Sequence, residues 1–420
     1  MAKFIIEGNQ ELKGEIKISG AKNAALKIIP AAILSDDESI IENVPDIADI
    51  NKMIEILRSI GAEIDFKDNI LRINPSTIKT FKPDESLVKK LRGSIVLAGP
   101  LLARFGEVML FQPGGCLIGA RPIDDHLDMF SQLGVKIEKN DRYYHLKGKP
   151  QANEVILGKM SVTATENAIM ASVLSHGTTK IHVAACEPEI ADLINFLNKM
   201  GAKISGANTH DITIEGVERL HGTTHAILPD RIEAGTYLIA AIATNSELKI
   251  GPVNPYHMSI VLKKLKDAKA NFEIISENNE NFIVTKKHNG LISVDVDTRT
   301  FPGFSTDLQS PFAVLMTQAK GESTLFETLF EGRFLFIDDL ITMGAKSEIL
   351  SPHIVKIQGP VKLKGTSIMS RDLRGGAALI IAGLVADGQT ILEDNGYIER
   401  GYNKMDEKLR AVGANIKRVE

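Results

Sequence analysis

The chain has 420 residues, 44% of them hydrophobic and 24% charged, with 34 glycines and 16 prolines. That length allows about two to four ordinary domains, with two the working number, and the composition excludes a disordered or fibrous chain. Lysine and arginine number 49 against 53 acidic residues, a net charge of −4, so no global field exists for coating nucleic acid or an acidic membrane; an anionic ligand must be caught by a local basic cluster.

At the N-terminus, MAKFIIEGNQELKG alternates apolar and polar residues and carries early charges. No signal-like apolar block is present there, which predicts a protein that stays where it is made, in the cytoplasm. The longest apolar stretches, such as Ala377 to Ala386, reach half of the roughly 20 residues a membrane helix needs, so no membrane insertion is expected. Two cysteines, Cys116 and Cys186, point to a reducing compartment and against a disulfide framework.

Internal repetition organises the rest. Residues 39–64, SIIENVPDIADINKMIEILRSIGAEI, and 179–204, TKIHVAACEPEIADLINFLNKMGAKI, both read as strand, loop and amphipathic helix ending in Gly-Ala. That glycine recurs at Gly61, Gly134, Gly201, Gly344 and Gly413, with Lys269 at the matching place in the fourth copy, at spacings of 67 to 75 residues. Upstream of each strand lies a helix apolar on most faces, predicted over 22–35, 93–105, 163–176, 232–245, 308–320 and 374–387. Six copies of one β/α unit follow. The strand after each Gly-Ala ending pairs as a hairpin with the next; the last, Asn415–Val419, has no successor, and its natural partner is Lys3–Glu7. The expected domains are therefore 22–230, with three units, and 1–21 plus 231–420, with the other three.

Polar residues precede or open every apolar helix: Lys22 and Asn23; Arg92; Lys159 to Glu166; Asp230, Arg231 and Glu233; Asp307; Asp372 and Arg374. Helix N-termini favour anions, and a cluster holding Lys22, Arg92 and Arg374 exceeds what capping alone requires. The second unit carries about four extra residues within QPGGCLIGARPIDDH, 112–126, which sets Cys116 among glycines near Arg121; it reads equally as a reactive thiol or a packing residue. Cys186, followed by Glu187 and Glu189, reads as a packing residue. Arg333 and Arg400 lie in matching loops of units five and six. Asp124, Asp125 and His126 are adjacent and point apart on a helix, so capping and solvation outweigh a metal reading; no metal and no cofactor are needed. No Walker A loop or dinucleotide fingerprint is present.

With those residues in hand, the chain resembles the UDP-N-acetylglucosamine enolpyruvyl transferases from end to end. The likeness is carried by SGAKNAAL (19–26), LRGSI (91–95), PGGCLIGARPIDDHL (113–127), EPEIADL (187–193), LPDRIEAGT (228–236), FSTDLQ (304–309), FEGRF (330–334), DLRGGAAL (372–379) and ERGY (399–402). The resemblance implies an inverse α/β barrel of two three-unit domains with the active site in the cleft between them. It implies transfer of the enolpyruvyl group of phosphoenolpyruvate to the sugar 3-hydroxyl, with release of phosphate, as the first committed step of peptidoglycan synthesis.

By the same resemblance Cys116 is the general acid on a lid-like loop, able to form a covalent phospholactoyl adduct. Asp307 is the base, and Lys22, Arg121 and Arg400 hold phosphoenolpyruvate. Asn23, Arg92, Arg121, Pro122, Ile123, Asp124, Asp125, Lys159, Ser161, Val162, Thr163, Asp307 and Leu329 contact the nucleotide-sugar, while Arg333, Asp372 and Arg374 complete the substrate site. Ordered binding, with closure by the nucleotide-sugar, is expected. One departure bears on that site: the family usually has Val-Gly-Ala-Thr where this chain has Val162-Thr163-Ala164-Thr165. The rival readings are the shikimate-phosphate enolpyruvyl transferases, which lack the cysteine motif, and a silent nucleotide-sugar-binding paralogue. The partners implied are small molecules, with no nucleic acid and no required oligomer.

Overall fold

A computed structural model describes residues 2–111 and 122–419. The chain forms two compact units, one within 20–228 and one from Met1–Ser19 with Pro229–Glu420, and each closes around its own hydrophobic core. Among the described residues there are six sheets. None of the described helices is long and apolar enough to cross a membrane.

The repeated unit has a simple physical basis. A strand such as Ile70–Asn74 alternates exposed and buried residues, sending Leu71 and Ile73 inward, and the helix Ala48–Ser59 buries Ile50, Met53, Ile54 and Leu57 at helical spacing while its other face stays wet. The chain leaves that helix through Gly61 at φ 107°, a left-handed turn that glycine adopts without the Cβ penalty. Lys269 takes the same turn at φ 63°, so the fourth copy keeps the geometry with a lysine.

In the 20–228 unit, Ser39–Glu42 lies between the antiparallel Ile70–Asn74 and the parallel Thr224–Ala226, so the last strand of the segment closes on the first sheet. Helices Lys22–Ala31, Ala98–Phe105 and Val162–Ser172 fill the interior. A Cβ at Gly99 would sit 2.7 Å from the carbonyl oxygen of Asn167, so glycine there allows two of these helices to meet backbone to backbone.

The other unit is built the same way around helices Arg231–Ala243, Gln309–Thr317 and Leu373–Val385. Ala2–Glu7 runs antiparallel between Gln389–Asp394 and Asn415–Val419, and Lys13–Lys17 lies parallel to Glu247–Val253. The buried helices are mostly apolar, with buried polar exceptions such as Lys27, Glu166, Asn167 and Thr236, and Asp230, Asp372 and Ser161 each cap a helix by accepting backbone N–H groups.

Candidate functional site

In the 229–420 unit the central feature is an ion triad. Asp307 sits in the short turn Thr306–Leu308 that opens the helix Gln309–Thr317. One carboxylate oxygen accepts from Arg333 Nη2 at 2.5 Å and the other from Arg374 Nη2 at 2.9 Å. Both guanidiniums are buried. Burial alone would raise the Asp307 carboxyl, but the charges of Arg374 and then Arg333 outweigh it and hold the group well below the usual carboxylate range. Within the triad itself one carboxylate stands against two guanidiniums, with Asp372, Glu327 and Asp230 as neighbouring acidic residues.

Each arginine is fixed by its own surroundings. Arg374 belongs to the first turn of Leu373–Val385, where the Asp372 side chain accepts from the N–H groups of Arg374 and Gly375 at 2.9 and 3.0 Å. Its guanidinium lies 5.2 Å from the centre of the Tyr402 ring, and the Tyr402 hydroxyl is 2.9 Å from Thr236 Oγ1. Arg333 lies over the Phe330 ring at 5.3 Å. The fully buried Glu327 ties this loop to the Asp307 turn, accepting from the N–H groups of Leu329 and Phe330 with one oxygen and from Thr306 Oγ1 with the other. Leu329 itself is exposed, and Arg400 is half-buried at the end of the turn Ile398–Arg400.

In the 20–228 unit, Lys22 opens the helix Lys22–Ala31 and is buried with its Nζ 2.7 Å from Asp49; Asn23 beside it is half-buried. A second group gathers where the helices Asp124–Gln132 and Val162–Ser172 begin. Lys159 Nζ is 2.8 Å from Asp125 Oδ2, His126 Nε2 is 3.0 Å from Thr163 Oγ1, and Arg92, Asp125 and Lys159 all act electrostatically on His126. Ser161 caps the helix that Val162 and Thr163 begin. Ile123 is buried, while Pro122 and Asp124 are exposed. Cys116 and Arg121 lie outside the described residues. The Cys186 thiol is buried, and burial and then the Glu187 charge push it up, as suits a packing residue.

Several polar residues in these groups were not singled out by sequence reasoning. Thr236 and Tyr402 end the motifs LPDRIEAGT and ERGY without a role read for them, and Glu327 and Asp49 gain meaning only from their contacts. His126 was read as a solvated neighbour of two aspartates, yet it is buried, and burial pushes its imidazole down to about 4, so it is neutral at physiological pH. Glu166 and Asn167, polar residues inside an apolar helical run, were the available signal. Glu166 is fully buried, with Oε1 3.5 Å from Lys27 Nζ, and among the described residues that lysine is the one polar group paired with its carboxyl. Burial, with the charges of Glu189 and Glu187, outweighs the Lys27 cation and pushes its carboxyl up to about 8.

Comparison with known proteins agrees with this organisation. The family model described as EPSP synthase (3-phosphoshikimate 1-carboxyvinyltransferase) matches residues 6–409. A UDP-N-acetylglucosamine 1-carboxyvinyltransferase of Coxiella burnetii is 44% identical over 423 residues, covering 100% of this chain and 96% of that protein. UDP-N-acetylglucosamine 1-carboxyvinyltransferase 2 of Carboxydothermus hydrogenoformans is 44% identical over 420 residues, covering 100% of both. Among solved structures, the enolpyruvyl transferase NikO from Streptomyces tendae superposes with TM-score 0.89 at 24% identity, covering 100% of this chain and 99% of that one. An EPSP synthase from Acinetobacter baumannii gives 0.77 at 17%, with full coverage of both; these two likenesses concern the fold, an α/β architecture of the enolpyruvyl-transferase type. The chain belongs to the EPSP synthase family and, at 44% identity over its full length, to the UDP-N-acetylglucosamine 1-carboxyvinyltransferases within it.

Proposed function

We propose that this protein transfers the enolpyruvyl group of phosphoenolpyruvate to the 3-hydroxyl of UDP-N-acetylglucosamine, releasing phosphate, in the synthesis of peptidoglycan for the cell wall. The observation that carries the reading is full-length identity of 44% to relatives bearing that activity in their names. The cationic triad at Asp307 supports it chemically.

In this reaction the sugar hydroxyl loses its proton as its oxygen bonds to C2 of phosphoenolpyruvate, and a proton is delivered to the methylene carbon. The C2–O bond to phosphate then breaks, and the new methyl group gives up a proton to restore the double bond. Asp307 is the base in this reading and Cys116 the acid. A carboxylate held by two guanidiniums is a poor base. The phosphate and carboxylate of phosphoenolpyruvate are anions that compete for Arg333 and Arg374, and each hydrogen bond drawn from Asp307 raises its basicity. Lys22, Arg121 and Arg400 add positive charge for the same anion, offsetting charge that develops as phosphate departs.

For the acceptor, Asn23, Arg92, Arg121, Pro122, Ile123, Asp124, Asp125, Lys159, Ser161, Val162, Thr163, Asp307 and Leu329 are the proposed contacts, and Asp372 orders Arg374 through its cap. Domains at 22–230 and at 1–21 with 231–420 remain part of the proposal. So do a cytoplasmic location, the absence of nucleic-acid partners and the lack of a required oligomer.

The test is phosphate release from phosphoenolpyruvate with UDP-N-acetylglucosamine or with shikimate 3-phosphate, for the natural chain and for Cys116→Ala. Release that needs the nucleotide-sugar and collapses in the variant is expected. Release with shikimate 3-phosphate instead, or none from protein that still binds the nucleotide-sugar, would overturn the reading.

A further inference from the structure

Behind Thr163 lies a buried row of hydrogen bonds whose direction can be worked out from backbone groups alone. Asn167 bridges two backbone groups: the N–H of Gly99 lies 2.8 Å from its Oδ1, and its Nδ2 is 3.0 Å from the carbonyl oxygen of Ile95. A backbone N–H can only donate and a carbonyl can only accept, so the amide has one allowed orientation. Its Nδ2 is also 3.0 Å from His126 Nδ1. That amide nitrogen is a donor, so Nδ1 must be the acceptor, and the single proton of the neutral ring is on Nε2.

Nε2 therefore donates to Thr163 Oγ1 across 3.0 Å. Thr163 is half-buried, and its hydroxyl oxygen is already served from the protein side. Among the described residues no acceptor for its hydroxyl hydrogen is seen, which leaves that hydrogen for a group outside. Asp125, Arg92 and Lys159 all bear electrostatically on His126 beside it, and Asp125 is paired with Lys159 at 2.8 Å; two cations against one carboxylate leave the balance positive, which suits an anionic oxygen as the acceptor. Burial of His126, which keeps the ring neutral to about pH 4, holds the same arrangement across the physiological range.

We propose that His126 and Asn167 are positioning residues for the nucleotide-sugar: they serve the Thr163 oxygen from within and so aim its hydroxyl hydrogen at a diphosphate oxygen of the bound UDP-sugar. The inference rests on the transferase reading above and adds a specificity-determining hydroxyl to it. A glycine at 163 supplies no such donor, so the Thr163 departure strengthens this contact rather than merely perturbing it. Gly99 belongs to the same device, because its lack of a Cβ lets its N–H reach Asn167.

Calorimetric titration of the full chain with UDP-N-acetylglucosamine tests it, with Thr163→Val removing the hydroxyl and Thr163→Ser keeping it. Loss of a hydrogen bond to a charged acceptor is expected to weaken binding about ten-fold in Thr163→Val, with Thr163→Ser within about two-fold of the natural chain. At saturating nucleotide-sugar the KM for phosphoenolpyruvate is expected to stay within about two-fold in both. Equal weakening in the two variants would trace the effect to packing, and no weakening in either would remove the contact; both outcomes overturn the proposal and leave the transferase intact. Failure of the natural chain to bind the nucleotide-sugar would remove the transferase reading and this proposal with it. Independently, nitrogen-15 NMR of the imidazole is expected to find His126 neutral with its proton on Nε2 between pH 6 and 8; a proton on Nδ1 overturns the proposal even if Thr163→Val does not fold.

Discussion

Asp307 carries two demands that pull against each other. As a base it needs a free lone pair, and as the counter-ion of Arg333 and Arg374 it has both oxygens engaged. Asp307→Asn is therefore expected to cost twice: phosphate release falls by about 10²- to 10⁴-fold through loss of general-base catalysis, and two buried guanidiniums lose their shared carboxylate. The second cost has a distinct signature. Inorganic phosphate should raise the Tm of Asp307→Asn more than that of the natural chain, because it replaces the missing anion; equal shifts in differential scanning fluorimetry would show that the arginines are not the groups the anion meets.

Glu166 makes a second prediction at this scale. Its carboxyl is pushed up to about 8 in the fold against an ordinary value of 4.5, chiefly by burial. Between those values the folded state holds a proton that the unfolded state has released. The corresponding stability is complete below about pH 4.5, declines as pH rises and is gone above about 8. Glu166→Gln mimics the protonated form, so it should abolish this decline and unfold at higher temperature than the natural chain at pH 8.5, by the equivalent of a few kcal/mol. His126 has the opposite sign: its depressed imidazole costs stability as pH falls from about 6.5 to about 4. Thermal melts between pH 4 and 9 separate the two groups.

At the scale of the element, the buried helices depend on their first turns and on close approach. Asp372→Ala removes the cap of Leu373–Val385 and leaves the N–H groups of Arg374 and Gly375 without their acceptor; a loss of about 1 kcal/mol is expected in denaturant unfolding. Activity should fall further than that loss explains, because the capped turn carries Arg374. Gly99→Ala places a Cβ against backbone, 2.7 Å from the Asn167 carbonyl oxygen, and is expected to destabilise by roughly 1 to 3 kcal/mol through overpacking. A stability unchanged within error in Gly99→Ala would mean that the two helices are free to separate.

These helices also show where element reading succeeds and where it blurs. The predicted 374–387 is observed as Leu373–Val385, and 163–176 starts as expected at Val162 but ends four residues early, at Ser172; the polar residues that open an apolar run mark its start better than its end. The run predicted at 93–105 divides into a tight turn over Arg92–Leu97 and the helix Ala98–Phe105. Pro100, three residues into that helix, has no backbone N–H to donate to the preceding turn, and composition alone does not show how that turn adapts.

For the whole molecule, the strand Ala2–Glu7 is the informative part. It lies between two strands drawn from 389–419 and buries Phe4 and Ile6. Removing residues 1–8 would empty the middle of that sheet, at a cost of about 2 to 3 kcal/mol for each buried side chain besides the hydrogen bonds on both edges. That sum is comparable with the stability of a domain. Chain lacking those residues should therefore be cleaved rapidly within 229–420 by limited proteolysis, and protection equal to that of the full chain would refute it.

Much of the architecture was legible in the sequence because the repeat uses local signals: alternation in strands, helical spacing of apolar residues, and a glycine at five of the six left-handed turns. Pairing of the first strand with the last followed from counting, since Asn415–Val419 had no later strand to join. The motifs identified the family through short runs whose order and residue types are specific. Only the tertiary structure decided which polar residues meet. Asp307 and Arg333 come from the fifth unit and Arg374 from the sixth, and they converge because the two units present these turns to one place; His126 becomes neutral because helices pack over it, and its tautomer is fixed only through Asn167 and two backbone groups. Charge state, tautomer and hydrogen-bond direction depend on burial and on distances across the fold, and sequence separation does not encode either.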